Sequence, residues 1–503
     1  MHNQFELDGY NLNLNTVAIY AKEEGQVTQF SFSQEAKARV KKARDFVLEC
    51  VKKGEPVYGI NTGFGALSSV NIAAKDTAEL QVNLIRSHCT GVGKPLNREI
   101  VRAMILIQTQ SLLKGHSGVQ EDIIQRLIDF LNHDIVPVVP EKGSVGASGD
   151  LAPLAHIAYC LMGEGQVVYQ GKTMQASQAV QQLDLKPVVL GPKDGIGLIN
   201  GTHLMAAQAV IAVDHAQYLM DIADFILAMS LDALQGSIRA FDEDLHALKA
   251  HPGQVETAQR VRQYLKGSDI LKNHENCTRV QDPYSLRCAA QVYGACKQTL
   301  RHAKEVLNTE LQAVTDNPIV FADKGESISG GHFHGQALAF IMDYLAMGLA
   351  EVCNIAERRV VKLLNPTFSQ LPAFLAKGSG LHNGLMIAQY TMASLVAENR
   401  IFCHPASVDS VSTSNDKEDH VSMGPNAGRK LMQVIDNVYH CLAIEALCAA
   451  EAIELLRPLK SSNRIETAVK VIREQCPQVN EDRFLSKDIN AIESIIRQKN
   501  LYV

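Results

Sequence analysis

Hydrophobic residues in the second half of the chain lie in long stretches with helical patterning. Residues 202–235 contain neither Gly nor Pro, and a helix of that length would extend about 50 Å at 1.5 Å per residue. Residues 429–457 form a second such stretch, while residues 285–314 and 336–364 carry apolar side chains around most of the helical circumference. Apolar residues on all sides indicate burial between other helices. The pattern therefore predicts a bundle of very long helices.

The first 200 residues follow a different pattern. The first forty mix Val, Thr, Phe and Tyr with Gly and Asn, which predicts short strands and loops. An amphipathic helix is expected over residues 33–53, followed by helices alternating with Gly-rich turns. We therefore expect a mainly α fold with a smaller mixed N-terminal part, and we divide the sequence into residues 1–200 and 201–503.

Composition narrows the class of protein. The 503 residues are 46% hydrophobic and 20% charged, which excludes disordered, collagenous and disulfide-stapled proteins. A charged fraction below the usual quarter predicts that much of the surface is covered by the chain itself or, most simply, by other copies of it. The net charge is 48 minus 54, or -6, and no run of five or more basic residues occurs. We therefore expect no nucleic-acid partner.

Cysteine usage and apolar segments bear on location. The eleven cysteines include no Cys-x-x-Cys pair, which suits reduced thiols in a cytoplasmic protein. The first residues lack a basic segment followed by an apolar one, so no secretory signal is expected. Asp214, Asp221 and Asp224 interrupt the apolar run from 204 to 234, and no membrane span is predicted.

One loop, Gly143-Ser-Val-Gly-Ala-Ser-Gly-Asp150, stands out for its density of small residues. A loop of this composition is most often a tight turn before a helix. A phosphate-binding loop would continue into Gly-Lys-Ser/Thr, and a serine nucleophile elbow would have the spacing G-x-S-x-G. This loop has neither continuation.

The loop resembles the signature of the aromatic amino acid ammonia-lyases, in which Ala-Ser-Gly cyclises into 4-methylidene-imidazol-5-one (MIO). The resemblance implies that Ala147, Ser148 and Gly149 form this cofactor. The Gly149 nitrogen must then attack the Ala147 carbonyl, so the flanking side chains must be small, and Ser148 must lose water to leave an electrophile. Asp150 would assist the dehydrations, although a carboxylate before a helix could equally be an N-cap.

Further motifs extend the resemblance over most of the chain, in the order that the family has. The resemblance implies a long-helix bundle of the ammonia-lyase/fumarase-like type and, as in the family, a homotetramer. The motifs are Tyr58-Gly-Ile-Asn-Thr-Gly-Phe-Gly65, Arg86-Ser-His-Cys-Thr-Gly-Val-Gly93, Asn200-Gly-Thr202, Gln281-Asp-Pro-Tyr-Ser-Leu-Arg287, Thr315-Asp-Asn-Pro318, Phe333-His-Gly335 and Glu418-Asp-His-Val-Ser-Met423.

The resemblance implies residue roles around the cofactor. Tyr58 matches the catalytic base, which removes the weakly acidic β-proton and needs surroundings that lower its pKa. A lone Tyr before Gly is more often a packed loop residue. Asn200 would bond to the cofactor ring, and Phe333 would pack on it.

A second group would hold the substrate carboxylate. Arg287 can grip a carboxylate through its planar fork, although an Arg on a helix is more often a surface residue. Tyr284 lies three residues earlier and faces the same way on a helical turn. The resemblance gives Tyr284 and Gln281 places at the carboxylate and cofactor, with Tyr284 catalytic. In the family, such residues converge from three subunits.

Two positions bear on substrate choice. His88 occupies the site that binds the aromatic ring, and Glu418 stands where the phenylalanine and tyrosine lyases have Gln. A carboxylate and an imidazole together can hold both nitrogens of a histidine side chain, so Glu418 is counted with the catalytic residues. The resemblance implies elimination of ammonia from L-histidine to give urocanate. A tyrosine or phenylalanine lyase or aminomutase, and a non-catalytic helical scaffold, remain alternatives.

Four residues depart from the histidine branch of the family: His203 for Gln, His332 and His382 for Asn, and Lys417 for Gln. A single such histidine is most often a packed core residue. Lys417 would be placed to pair with Glu418. His332 and His334 share a strand face but lack a third ligand at zinc spacing, and no metal is expected.

Overall fold

The computed structural model describes residues 3–25, 27–54, 57, 59–60, 62, 72–73, 76–274, 280–378 and 380–502. Two compact units divide the chain. Unit 1 comprises Met1–Asp214, Lys304–Asp343 and Pro405–Arg429, and unit 2 comprises His215–Ala303, Tyr344–His404 and Lys430–Val503. The division of the sequence at residue 200 stays a prediction.

The strands are short and belong to unit 1. Their bounds are β1 (Asn3–Leu7), β2 (Thr28–Phe32), β3 (Val92–Pro95), β4 (Val136–Pro137), β5 (Pro140–Lys142), β6 (Gln166–Tyr169), β7 (Lys172–Gln175), β8 (Ile319–Phe321) and β9 (Glu326–Ile328). β1 and β2 pair in parallel, with Asn3 opposite Thr28. The other pairs are antiparallel: β3 with β5, β4 with β6, β6 with β7, and β8 with β9.

Helices make up most of the chain, as the sequence predicts. Their bounds are α1 (Leu14–Lys22), α2 (Gln34–Lys53), α3 (Thr77–His88), α4 (Arg98–Leu113), α5 (Glu121–Asn132), α6 (Ala152–Leu161), α7 (Ala176–Gln181), α8 (Asp194–Ile199), α9 (His203–Ala233), α10 (Glu243–Ala247), α11 (Pro252–Tyr264), α12 (Asp269–Asn273), α13 (Tyr284–Arg287), α14 (Ala289–Glu310), α15 (Gln336–Leu364), α16 (Pro366–Ser369), α17 (Met386–Phe402), α18 (Gly424–Leu455), α19 (Asn463–Gln475) and α20 (Ser486–Arg497). Among the described residues, Ile238–Phe241 and Ala373–Leu375 form 3-10 helices.

Local sequence signals explain the ends of α2, predicted at 33–53. The Ser33 hydroxyl oxygen accepts a hydrogen bond from the Ala36 N–H at 3.1 Å, a typical N-cap. Gly54 ends the helix in the left-handed region at φ +73°, where glycine is least strained. One face is buried at helical spacing through Ala36, Val40, Ala43 and Val47.

The predicted long helices are confirmed as α9, α15 and α18. Helix α9 ends just before Gln235, at φ +50°, and Gly236. The prediction over 285–314 is too long, because the chain leaves helical geometry at Cys288 (φ -102°, ψ 6°), between α13 and α14. By length and composition α15 could cross a membrane, but 72% of its most apolar 18-residue window is buried, as in the core helix of a folded protein.

Unit 2 contains a buried ion pair with no exposed side-chain surface. Arg359 Nε lies 2.5 Å and one of its terminal nitrogens 3.0 Å from the two carboxylate oxygens of Glu445. The Ser230 hydroxyl also donates to Glu445, at 2.6 Å, and Arg359 donates to the Tyr293 hydroxyl at 2.5 Å. Every charge in this group is therefore both paired and hydrogen-bonded, which a buried charge requires.

Replacing Glu445 with Ala should destabilise the protein, because it leaves the Arg359 charge buried and unpaired. We expect a loss of about 3–5 kcal/mol in the free energy of unfolding, measured by urea denaturation. Glu49→Ala is the control, since Glu49 pairs with Lys53 at the surface and its loss should leave the free energy of unfolding almost unchanged. Equal losses in the two variants would contradict this assignment.

Candidate active site

The loop at 143–150 turns tightly, as its small residues predict. Ser148 and Gly149 both lie in the left-handed region, at φ +51° and +80°. Gly149 forms a parallel bridge with Gly201, and a Cβ on Gly149 would lie 2.2 Å from the Gly201 carbonyl oxygen. Glycine is therefore required at 149 both by its backbone conformation and by this close approach.

The segment 418–423 packs against the loop. The Met423 N–H donates to the Val145 carbonyl at 2.9 Å, and a Cβ on Gly146 would lie 2.2 Å from Ser422 Oγ. An apolar cluster joins the two segments through Ala147, Val421 and Met423. Two motifs separated by about 270 residues thus form one structure.

The Ser148 hydroxyl donates to a carboxylate oxygen of Glu418 at 3.0 Å. The Thr413 hydroxyl donates to the other oxygen of Glu418 at 2.8 Å. Sequence reasoning missed Thr413, because it belongs to none of the motifs and only the folded chain brings it to Glu418. Together these bonds fix the orientation of the Glu418 carboxylate beside the loop.

His88 lies near Glu418 at the end of α3. Burial lowers the pKa of the His88 ring, while its bond to the Leu84 carbonyl and the Glu418 charge act to raise it. His88 Nδ1 lies 2.8 Å from the Leu84 carbonyl oxygen. Because a carbonyl can only accept, Nδ1 carries the proton, and Nε2 of the neutral ring is an acceptor.

Asp150 is fully buried behind the loop. Its N–H donates to the Gly201 carbonyl at 2.8 Å, and its Oδ2 accepts from the Leu204 N–H at 2.6 Å. Burial, assisted by the Glu310 charge, raises the pKa of Asp150 to about 8 despite these bonds. The carboxyl is therefore mainly protonated at neutral pH.

Asp150 is not the N-cap of α6, the helix that follows it in the sequence. Helix α6 has Leu151 at its N-cap position and no side-chain cap. Asp150 instead accepts from the first turn of α9, 54 positions further along the chain. The carboxyl therefore ties the loop to the beginning of the long helix.

Asn200 is also buried in unit 1, with 2% exposure. Its side-chain nitrogen donates to the Asn317 carbonyl at 2.7 Å, and its Oδ1 has no partner among the described residues. Phe333 is half-buried and follows the β8–β9 hairpin. Asn317, within the sequence motif at 315–318, therefore bonds directly to Asn200, a residue predicted to contact the cofactor.

The predicted carboxylate-binding residues lie in unit 2. The Arg287 guanidinium stands 4.5 Å from the centre of the Tyr284 ring, which confirms that the two share one side of α13. Arg287 Nε donates to the Asp282 carbonyl at 3.1 Å. Tyr284 is 69% exposed, and Gln281 is exposed as well. Tyr58 lies outside the described residues.

The four departures differ in their surroundings. His203 is buried, with no partner for either ring nitrogen among the described residues, and burial lowers its pKa to about 4. His332 and Lys417 are exposed. Lys417 forms no ion pair with Glu418 in the part of the chain that the structure describes. His382 Nδ1 accepts from the Asp482 N–H at 3.4 Å.

The described residues hold no group of three or more metal-ligating side chains. His334 and His420 approach each other, with ring centres 5.6 Å apart, but the bond that joins them runs from His334 Nε2 to the His420 carbonyl. The described residues of the site thus comprise a strained loop together with the carboxylate of Glu418, the imidazole of His88 and the amide of Asn200.

Comparison with known proteins identifies the class. The sequence profile of the aromatic amino acid lyase family matches residues 12–474, so the chain belongs to that family. It is 46% identical over 490 residues to histidine ammonia-lyase of Myxococcus xanthus, covering 97% of this chain and 96% of the relative. The predicted class of enzyme, a carbon–nitrogen lyase, is confirmed.

Two solved structures show the same fold. Histidine ammonia-lyase from Trypanosoma cruzi is 39% identical, with a TM-score of 0.90, covering 99% of this chain and 94% of that one. The ergothioneine-degrading enzyme ergothionase from Treponema denticola is 32% identical, with a TM-score of 0.94 and 99% of both chains covered. The predicted mainly α fold of the ammonia-lyase type is confirmed.

The buried His203 should make stability depend on pH. Its pKa is lower in the folded protein, about 4, than the ordinary value of 6.5, so the unfolded chain binds the proton first. The contribution of neutral His203 to the free energy of unfolding is therefore fully present above pH 6.5 and is lost as the pH falls towards 4. Between pH 7.5 and pH 5, the free energy of unfolding should fall by about 2 kcal/mol more in the parent protein than in His203→Gln.

The measurement is urea unfolding at both pH values, with exposed His251→Gln as the control. His251 makes no side-chain cap at α11, so its replacement should leave the pH dependence unchanged. The same pH dependence in the parent and in His203→Gln would show that His203 is not buried as a neutral ring.

Proposed function

We propose that this protein eliminates ammonia from L-histidine to give urocanate. The observation that carries the proposal is the hydrogen bond between Ser148 and Glu418, with His88 near enough to Glu418 to feel its charge. In the protonated imidazole of the substrate both nitrogens carry hydrogen, so a carboxylate and an acceptor imidazole can accept from both. The relatives from Myxococcus xanthus and Trypanosoma cruzi are named histidine ammonia-lyases, which supports the same substrate.

The loop residues fit the MIO cofactor that the family implies. Gly149 has the backbone freedom and close packing that cyclisation needs, and Ser148 is already in a left-handed turn. The Gly149 nitrogen would bond to the Ala147 carbonyl carbon. Two waters would leave, one with the Ala147 carbonyl oxygen and one with the Ser148 hydroxyl. The protonated Asp150 carboxyl is a suitable acid for these dehydrations.

When formed, the group supplies the strong electrophile that ordinary side chains lack. The chain itself supplies the other functions. Tyr58 is proposed to remove the β-proton, and Phe333 to pack against the cofactor. Asn200 is proposed to donate the second N–H of its amide to the cofactor ring, which has acceptors only. Glu418 and His88 orient the imidazole, so that the β-carbon faces the base.

Gln281, Tyr284 and Arg287 are proposed to bind the substrate carboxylate from other copies of the chain in a homotetramer. The exposure of Tyr284 supports this, because a residue that serves another subunit is uncovered in a single chain. Helix α17 also exposes apolar residues on one side, including Ile387, Tyr390 and Ile401 at 57%, 64% and 73%. Exposed apolar side chains at this density are typical of protein interfaces.

We also propose a cytoplasmic location. None of the ten cysteines that the structure describes forms a disulfide. Free thiols in this number suit a reducing compartment.

Incubation of the purified protein with single amino acids tests the reaction. L-histidine should give urocanate, seen by its absorbance, together with free ammonia. Ser148→Ala should assemble normally, lack the loss of two waters in its intact mass, and give no product. Turnover of tyrosine or phenylalanine without urocanate would contradict the proposal, as would a β-amino acid product. An uncyclised parent protein would favour the scaffold.

Substitution of Glu418 by Gln should separate substrate choice from cofactor formation. The loss of one charged hydrogen-bond partner, worth about 1.5–3 kcal/mol, predicts a fall of roughly 10- to 100-fold in kcat/KM for histidine. The two-water mass deficit should remain. Asp419→Asn changes the neighbouring exposed carboxylate and should keep the parent kcat/KM. An unchanged kcat/KM in Glu418→Gln would remove Glu418 from the site.

A further inference from the structure

A buried ion pair in unit 1 lies beside the candidate site and has no role in the function proposed above. Lys193 Nζ is 2.6 Å from Asp316 Oδ2, and the side chains are 0% and 3% exposed. Asp316 uses its other oxygen to accept the Asn317 N–H at 2.6 Å. The carboxylate thus bonds a lysine on one side and the peptide of Asn317 on the other.

Asn317 connects this pair to the residues proposed to contact the cofactor. Its carbonyl accepts the side-chain nitrogen of Asn200 at 2.7 Å. Its side-chain Oδ1 accepts the Ser329 hydroxyl at 3.1 Å and the Gly330 N–H at 2.9 Å. Gly330 precedes Phe333 by three residues, so the same asparagine holds both Asn200 and the segment that leads to Phe333.

The next residue, Pro318, reaches the glycine that follows Tyr58. A Cβ on Gly59 would lie 2.7 Å from the Pro318 ring, so this contact requires glycine. Gly59 adopts φ +75°. The segment 316–318 is therefore packed against three separate parts of the chain that carry predicted site residues.

The direction of the Asn200 amide follows from these bonds. The Asn317 carbonyl can only accept, so Asn200 must present its nitrogen there. The second N–H of Asn200 is then available to a bound group, and its Oδ1 has no partner among the described residues. A shift of the Asn317 peptide would move or turn this amide.

Stability alone gives little reason to bury a lysine and an aspartate. A buried ion pair is often no more stabilising than apolar residues of the same volume, because both charges lose their hydration. Its bonds are directional, however, and a charge-assisted bond to a backbone N–H fixes a peptide more firmly than a neutral one.

We propose that Lys193 and Asp316 are positioning residues for the ammonia-lyase reaction and act through Asn317 on Asn200. The proposal rests on the proposed contact between Asn200 and the cofactor. Neither charge touches the substrate. The pair holds the Asn317 peptide, and the peptide sets the amide.

A second buried pair in unit 2 provides a matched control. Lys297 Nζ also lies 2.6 Å from an aspartate oxygen, that of Asp224, and the side chains are 6% and 0% exposed. The other bonds of Asp224 go to Thr257 and Arg260. None of these residues is predicted to belong to the active site.

The kinetic test compares Lys193→Met and Asp316→Asn with Lys297→Met and Asp224→Asn in the assembled enzyme. All four should lower the urea midpoint. Only the first two should lower kcat, by roughly 10- to 100-fold, with KM within about twofold, because Asn200 serves the cofactor and not the substrate carboxylate. Lys193→Arg, which keeps the charge, should recover part of kcat. Equal kcat losses in the two sets would overturn the proposal.

A double-mutant cycle tests whether the pair acts through Asn200. Asp316→Asn should lower kcat much less in an Asn200→Ala background than in the parent, because the amide it positions is already gone. The same fold-loss in both backgrounds would show that Asp316 does not act through Asn200.

Hydrogen exchange of the whole enzyme, read by mass spectrometry, tests the proposal without substrate. Lys193→Met should speed exchange in peptides covering residues 196–202 and 329–334, and Lys297→Met should not. If the parent protein converts no histidine, the proposed function fails, while this measurement still decides the positioning role. If Lys193→Met leaves exchange unchanged in both segments, the proposed positioning role is wrong.

Discussion

The close approach between Gly149 and Gly201 is the constraint on which the site depends. The two backbones pair at a distance that leaves no space for a side chain on Gly149. Asp150 extends this pairing by bonding to the Gly201 carbonyl and to the first turn of α9. The loop at 143–150 is therefore attached to a 31-residue helix, and this rigid attachment holds its strained turn.

Burial sets the protonation states around this loop in a consistent way. It raises the pKa of Asp150 and lowers the pKa values of His88 and His203. In each case the neutral form is favoured, because a charged group loses its hydration in a low-dielectric interior. The site thus combines a neutral acid with neutral imidazoles. Asp316 and Lys193 keep a buried ion pair nearby because each charge has a partner at hydrogen-bond distance.

The sequence predicted most of the helical fold and the residues of the loop. Helices α2 and α9 were predictable because they contain neither Gly nor Pro, and α18 because both are absent after Gly428. Helix α15, which contains Gly348, was predictable from the apolar residues around most of its circumference. The break at Cys288 was not, because no Gly or Pro marks it. The bond from Asp150 to α9 was not predictable either. A carboxylate that accepts from a helix far along the chain leaves no pattern in the residues near it.

Taken by itself, the sequence determined which residue types are available: small residues at 146–149, the ordered motifs, and a carboxylate and an imidazole at 418 and 88. Only the tertiary structure decided which of them meet. Ser148 meets Glu418 across 270 positions of the chain, and Asn317 meets Asn200 across 117. Such partners depend on how helices and loops pack, because hydrogen bonds between distant segments are selected by three-dimensional distance and direction and not by spacing along the chain.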